Sequence, residues 1–274
     1  MTVVGRIESS WRYPVKSMRG EELRETFAGF SGVYGDRAYA FRGSASRKGF
    51  PFFTGREQEQ MLLYRAAYRH GERMAMPPNL MEADALGPGV TPLYADPADW
   101  IVDVATPSGE VLPVDDPRLI DLLREGGRKD LALSLLRSER ALTDCRPVSL
   151  ISMQTVRQLS REVGVELDKR RFRANFYVDL AGGAGFGENS WVGRRLRIGV
   201  KAEIAVTDRD PRCKMITLDP DTGQSNPDVL RCVAKGHNGT AGIYAAVLVE
   251  GVIRGGDAIT LLDRDECAMD PSAG

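Results

Sequence analysis

Cys213 offers more chemistry than any other residue in this sequence. It stands in Asp210-Pro-Arg-Cys-Lys, with Arg209, Arg212 and Lys214 close by and Asp208 and Asp210 opposing them. Neighbouring cations favour a thiolate, the form that attacks electrophiles and binds soft metals, and carboxylates disfavour it. Cysteine is also a small apolar filler, so the local residues leave Cys213 open between ligand and core. A second set consists of cations inside strand-like segments: Lys16 in YPVKS, Arg37 in GDR, Arg56 in TGRE and Arg173 in RFRAN. Long cations seldom interrupt strands without partners. Together with Ser17, Ser152 and Asn175 they would line a phosphate pocket, whereas each taken singly reads as a surface charge. The acidic run DPDTG, residues 219–223, offers carboxylates to a cation, but Asp, Pro and Gly are first of all turn formers. His70 and His237 fall in no metal or triad spacing, and no GxSxG, Walker or dinucleotide-binding glycine motif with suitable flanks occurs.

These residues need elements to position them. Val3–Ile7, Leu23–Phe27 and Tyr39–Phe41 read as strands, and residues 77 to 99, with five prolines, read as an extended loop. Asp116-Pro117 marks a helix start that runs to Gly126, and LALSLLRS, residues 131–138, is expected to form a second short helix. Val148–Ile151 is an apolar strand. Ser152 then caps a helix with Val156, Leu159 and Val163 on one side, and that junction aims backbone N–H groups at whatever lies above it. LRIGVKAEIAV alternates throughout and predicts one long strand ending just before Cys213, at an edge where sites are built. AGGAGFGEN reads as a loop, and GIYAAVLVEG and GDAITLL read as closing strands. The expected fold is mainly β with a few helices, an α+β chain.

With 37 basic and 38 acidic residues the net charge is −1, which gives no electrostatic footprint for nucleic acid or an anionic membrane. No apolar run reaches the length of a membrane span. The cysteines at 145, 213, 232 and 267 form no CxxC pair and no secretory leader is evident, so reduced thiols in the cytoplasm are expected.

Taken together and in order, YPVKSMRGEEL, GDRAYAF, FFTGREQEQML, DCRPVSLIS, RFRANFYVDL, FGENSWVGRRLRIG, RCKMITLDPDTG and GIYAAVLVEGVIRGGD resemble the MOSC family. The resemblance runs nearly end to end and is nearest to two-domain bacterial members and to amidoxime-reducing components. It implies an N-terminal β-barrel-like domain over 1–115 packed on a MOSC β-barrel over 116–264, with a flexible tail over 265–274. It also implies molybdenum cofactor (a molybdopterin) as ligand, with Cys213 as the catalytic cysteine that binds the metal. Lys16, Ser17, Arg37, Thr54, Arg56, Ser152, Arg173, Asn175 and Arg212 would hold the cofactor. The implied reaction reduces N-hydroxylated small molecules with electrons from a separate reductase or ferredoxin. Two alternatives stand beside it: a cofactor or persulfide sulfur carrier using Cys213, and a pocket re-used for a pathway-specific reaction. Ala174 and Gly55 depart from the family's usual proline and alanine, and EQEQ stands where relatives often have a proline-leucine pair. The sequence contains no pyridoxal-dependent desulfurase domain, so sulfurase activity of its own is not expected.

Overall fold

The computed structural model describes residues 2–44, 49–81, 96–125 and 131–262. Seven strands close into a barrel: β1 (Thr2–Arg12), β2 (Val148–Ser152), β3 (Phe176–Leu180), β4 (Arg195–Ile198), β5 (Ala202–Pro211), β6 (Thr240–Val249) and β7 (Ala258–Leu262). Their order is β3-β2-β6-β5-β4-β7-β1, and β1 pairs back onto β3 to complete the ring. Every pairing is antiparallel except β2 with β3. Parallel neighbours need a crossover, and helix α2 (Met153–Val163) supplies it. The helix buries Val156 and Leu159 as the 3.6-residue spacing predicts. Inward residues such as Ile7, Val178, Leu196, Ile204, Ala245 and Ile259 fill the barrel interior as one apolar cluster.

A second core is built from three small sheets. Tyr39–Gly43 lies between Leu133–Arg137 and Phe52–Phe53, Val102–Ala105 lies between Arg65–Tyr68 and Val111–Pro113, and Glu25–Gly29 lies between Gly32–Val33 and Gly251–Arg254. Trp100 sits at its centre with edge-on rings from Tyr34 and Tyr68, and helix α1 (Pro117–Glu125) covers it with Leu119 and Leu123. Asp116 caps α1 by accepting the Arg118 N–H at 2.9 Å. The two cores are interleaved in sequence: β1 begins the chain inside the barrel, and Gly251–Arg254 leaves the barrel to pair with Glu25–Gly29. Arg12, at the end of β1, is fully buried between them, stacked on Tyr68 and bonded to Glu21 at 2.9 Å.

Several sequence expectations are corrected. LRIGVKAEIAV is a hairpin rather than one strand, turning at Gly199 (φ +63°), beside the solvent-exposed Val200. Its register pairs Leu196 with Ile204 and Ile198 with Ala202. Even positions therefore face even positions across the turn, and the alternation passes through it unbroken. Residues 133–137 form a strand instead of a helix, because Leu131, Leu133 and Leu135 alternate onto the second core and pairing with Tyr39–Gly43 overrides the helix preference of Leu. The strand expected over Leu23–Phe27 is divided into Glu21–Leu23, which joins β1, and Glu25–Gly29. Gly126, residues 82–95 of the expected loop and the tail over 265–274 lie outside the described residues, while Pro97–Trp100 forms a short 3-10 turn.

Candidate functional site

A cavity of about 430 Å³ opens where the second core meets the end of the barrel. That volume lies within the ordinary range for small-molecule sites. Seven basic side chains and two carboxylates line it. Of the sequence-predicted residues, Lys16, Ser17, Arg37, Thr54, Arg56, Arg173, Asn175, Arg212 and Cys213 are all brought to this wall. Ser152 is not.

Three of the cavity residues have left-handed backbone although none is glycine: Ser17 (φ +67°), Arg37 (φ +48°) and Arg173 (φ +52°). Such conformations cost of order 1 kcal/mol or more each and persist only where the surroundings enforce them. Here the enforcement is visible. Lys16 N–H donates to the Tyr39 carbonyl at 2.8 Å, Arg37 N–H to the Tyr13 carbonyl at 2.7 Å, and Arg173 N–H to the Arg170 carbonyl at 3.2 Å. Arg37 and Arg173 both lie against the Tyr13 ring, at 4.8 and 4.3 Å from its centre. Arg37 is also paired with the buried Asp36, whose other oxygen accepts the Tyr13 N–H at 2.8 Å. Arg173 donates Nη1 to the Met18 carbonyl at 2.8 Å, and its Nη2 is buried without a hydrogen-bond partner among the described residues. Burial pulls Arg173 down to about 10, with repulsion from Arg37 adding to it.

Cys213 follows β5 directly and its thiol faces the cavity. Arg56 donates both Nε and Nη2 to its Sγ, each at 3.3 Å, and donates Nη2 to Asp144 Oδ2 at 2.9 Å. Asp144 in turn pairs with Lys16, which also donates to the Leu142 carbonyl at 2.6 Å and lies 4.4 Å from the Phe52 ring centre. The wall thus carries a continuous chain of contacts, Lys16–Asp144–Arg56–Cys213. Lys16 is 4 % exposed, and burial drags its ammonium down to about 8 against the pull of Asp144. Burial likewise opposes ionisation of Asp144, but Lys16 and Arg56 outweigh it and hold the carboxyl below its usual range.

The remaining residues build the walls. Arg212 is spent on structure: Nε donates to the Ala241 carbonyl at 2.6 Å, Nη1 to the Phe172 carbonyl at 2.8 Å, and Nη2 pairs with Asp210 at 2.8 Å. Asn175 accepts the Ser149 N–H at 3.2 Å and donates to the Trp11 carbonyl at 3.4 Å. Thr54 donates to Glu57 at 2.8 Å and accepts the Arg56 N–H at 3.2 Å, which orients Arg56. Gly55 has a packing reason: a Cβ there would meet Met215 Sδ at 2.9 Å, two residues beyond Cys213.

Ser152 is fully buried and serves as the cap of α2, accepting the Thr155 N–H at 3.0 Å. What lies above that helix start is the chain's own Glu188, which accepts from Ser152 N at 3.1 Å, Ser152 Oγ at 2.7 Å and Thr155 Oγ1 at 2.7 Å. A buried carboxylate thus occupies the position where an anion would bind. Ser149 lines the cavity instead. Side chains alternate along a strand, so Ser152 shares the barrel-facing side of Val148 and Leu150, and Ser149 does not. DPDTG is a turn, as read: Asp219 Oδ1 accepts the N–H groups of Asp221 and Thr222, each at 3.0 Å, and its other oxygen takes Arg171 at 2.7 Å.

Sequence reading missed Asp144, Ser149, Asp210 and Tyr244, all on the cavity wall. Asp210 is 2 % exposed and burial pushes it up to about 6, against Arg212 and a hydrogen bond with Tyr244. Each missed carboxylate stands two residues before an arginine, in DCR at 144 and DPR at 210, a pattern too common on protein surfaces to mark a site.

Residues 137–260 match the MOSC domain profile, a stretch that contains β2 to β6, the first three residues of β7, and Cys213. The chain carries a MOSC domain. It is 26% identical over 238 residues to the mitochondrial amidoxime reducing component 2 of Bos taurus, covering 80% of this chain and 68% of the relative. It is 30% identical over 125 residues to the molybdenum cofactor sulfurase of Drosophila ananassae, which is 45% of this chain and 15% of that protein. The solved YUAD protein of Bacillus subtilis superposes with a TM-score of 0.45 at 13% identity, over 93% of this chain and 94% of the other. Among the described residues no helix is long and apolar enough to cross a membrane.

Proposed function

We propose that this MOSC chain binds molybdenum cofactor in the cavity and reduces N-hydroxylated compounds there. The observation that carries the reading is Cys213, a thiol held by two Arg56 N–H groups at 3.3 Å on a cavity wall that also presents Lys16, Arg37 and Arg173. The donor set fits such a cofactor. A soft sulfur suits molybdenum, and the spare buried Arg173 Nη2, with Lys16 and Arg37, suits a phosphate. Cys213 would hold the metal, while Lys16, Ser17, Arg37 and Arg173 would hold the phosphate-bearing end. Thr54, Asn175 and Arg212 would keep the walls in place. The cofactor supplies the two-electron chemistry. The overall change, N–OH to N–H and water, consumes two electrons and two protons, which in this reading come from a separate reductase or ferredoxin and from solvent. Relatives named for amidoxime reduction, aligned over 80% of the chain, support the reaction class. A cytoplasmic setting belongs to the same reading.

The test is molybdenum and pterin content, together with amidoxime reduction by an artificial donor, for protein made in a cofactor-competent host. Cys213→Ala is expected to lose at least about a hundredfold in turnover with its circular dichroism unchanged. Turnover at the wild-type rate in that variant would refute the assignment.

A second reading, in which Cys213 carries sulfur, is favoured by the match to a cofactor sulfurase and by Arg56, which stabilises a negative sulfur. Cyanolysable sulfur on Cys213 in molybdenum-free protein would select it.

A further inference from the structure

Away from the cavity, the C-terminal ends of two helices bring together three metal-ligating side chains that the proposed reaction does not use. Glu162 lies in the last turn of α2, Cys232 lies in helix α3 (Pro227–Gly236), and His237 is the residue that ends α3. One ligand atom from each lies within 4.8 Å of the other two. Glu162 Oε2 is 2.6 Å from His237 Nε2 and 3.3 Å from Cys232 Sγ. The imidazole is fixed rather than free: Phe186 stacks on it with ring centres 3.8 Å apart and 15° between planes. Its backbone is fixed as well, with His237 N–H donating to the Val233 carbonyl at 3.0 Å and its carbonyl accepting Thr240 Oγ1 at 3.1 Å.

We infer that Glu162, Cys232 and His237 form a divalent-metal site suited to zinc, independent of the cofactor cavity. The donor set is one thiolate, one imidazole and one carboxylate, which matches the borderline softness of Zn²⁺. Tetrahedral zinc separates its nitrogen and oxygen ligands by about 3.3 Å. Opening the hydrogen-bonded Glu162–His237 pair by about 0.7 Å meets that distance, and the 3.3 Å between Glu162 and Cys232 is about 0.3 Å short of the roughly 3.6 Å that separates sulfur and oxygen ligands on tetrahedral zinc. Both helices point their C-terminal ends toward the cluster, and that end of a helix dipole favours a cation. The Glu162 and His237 side chains are 33 % and 15 % exposed, so an ion has a path in and solvent can complete the coordination shell. The site would clamp α2 to the turn that follows α3. That turn accepts the Arg212 N–H at the Gly239 carbonyl, and the strand after it accepts Arg212 Nε at the Ala241 carbonyl, so the clamp would steady the segment leading into Cys213.

Cobalt(II) titration of the full-length protein tests this without any readout of cofactor chemistry. The expected result is one equivalent bound, with a near-ultraviolet sulfur-to-cobalt absorption that zinc displaces. That band should vanish in Cys232→Ser and persist in Cys213→Ser. The more exposed Glu162→Ala, which keeps the thiol and imidazole, should lower cobalt affinity by at least roughly tenfold. A wild-type chain without the band overturns the proposal, as does a band that survives Cys232→Ser or an affinity unchanged in Glu162→Ala.

Discussion

At the scale of single residues, the cavity holds its cations at a cost. Folding pulls the Lys16 ammonium from its ordinary 10.5 to about 8. The native state therefore binds fewer protons than the unfolded chain between those values, and gains stability as pH rises through that window. Below pH 8 the penalty is fully present, on the order of 3 kcal/mol. Lys16→Met is accordingly expected to raise the unfolding free energy at pH 7 by about 1–3 kcal/mol in urea titration, while weakening phosphate binding measured by calorimetry. In the wild type, affinity for inorganic phosphate should fall as pH passes upward through about 8, because Lys16 loses its charge; the variant should show no such midpoint. Asp210 has the opposite sign. Its folded value near 6 lies above the ordinary 3.8, so its contribution is present at low pH and is lost as pH rises from about 4 to 6. Asp210→Asn should flatten the melting temperature across that interval. Most of the cavity was legible because long cations in strand-like segments need a reason to be there. Its anions were not, since a lone Asp beside an Arg looks the same on any surface.

At the scale of elements, the junction from β2 into α2 is a closed unit that never meets the cavity. Ser152→Ala removes the cap and one bond to Glu188, and is expected to lower stability by about 2 kcal/mol in denaturant titration. It should leave phosphate or cofactor affinity unchanged. Gly242 is the tightest point between neighbouring strands: its φ is +83° and a Cβ would lie 2.5 Å from the Leu150 carbonyl oxygen. Gly242→Ala should cost more than about 2 kcal/mol by thermal melting, because neither the β2 backbone nor Arg212 beside it has room to move. Element types were legible where pattern and pairing agree, as in β2, β6 and β7. They were obscured where a hairpin keeps the parity of its alternation, as at Gly199, or where leucines of high helix propensity are recruited into a sheet, as at residues 133–137.

At the scale of the whole molecule, the profile match and the folding unit differ. The matched stretch, 137–260, lacks β1, whose edges pair with both β3 and β7. Without β1 those two strands are exposed edges, which invite association with other chains. Residues 137–262 expressed alone are expected to show no dispersed amide spectrum by NMR and to aggregate. Attaching residues 2–12 after residue 262 through a flexible linker should restore much of the dispersion. A well-folded 137–262 fragment would show that the barrel tolerates an open seam.

Closure by the first strand also sets a schedule. A ribosome makes β1 first and β7 last, roughly 250 residues later. At about 5–20 residues per second this leaves β1 waiting roughly ten to fifty seconds for its partner. Throughout that interval the barrel has an unsealed seam and Cys213 has no finished wall around it.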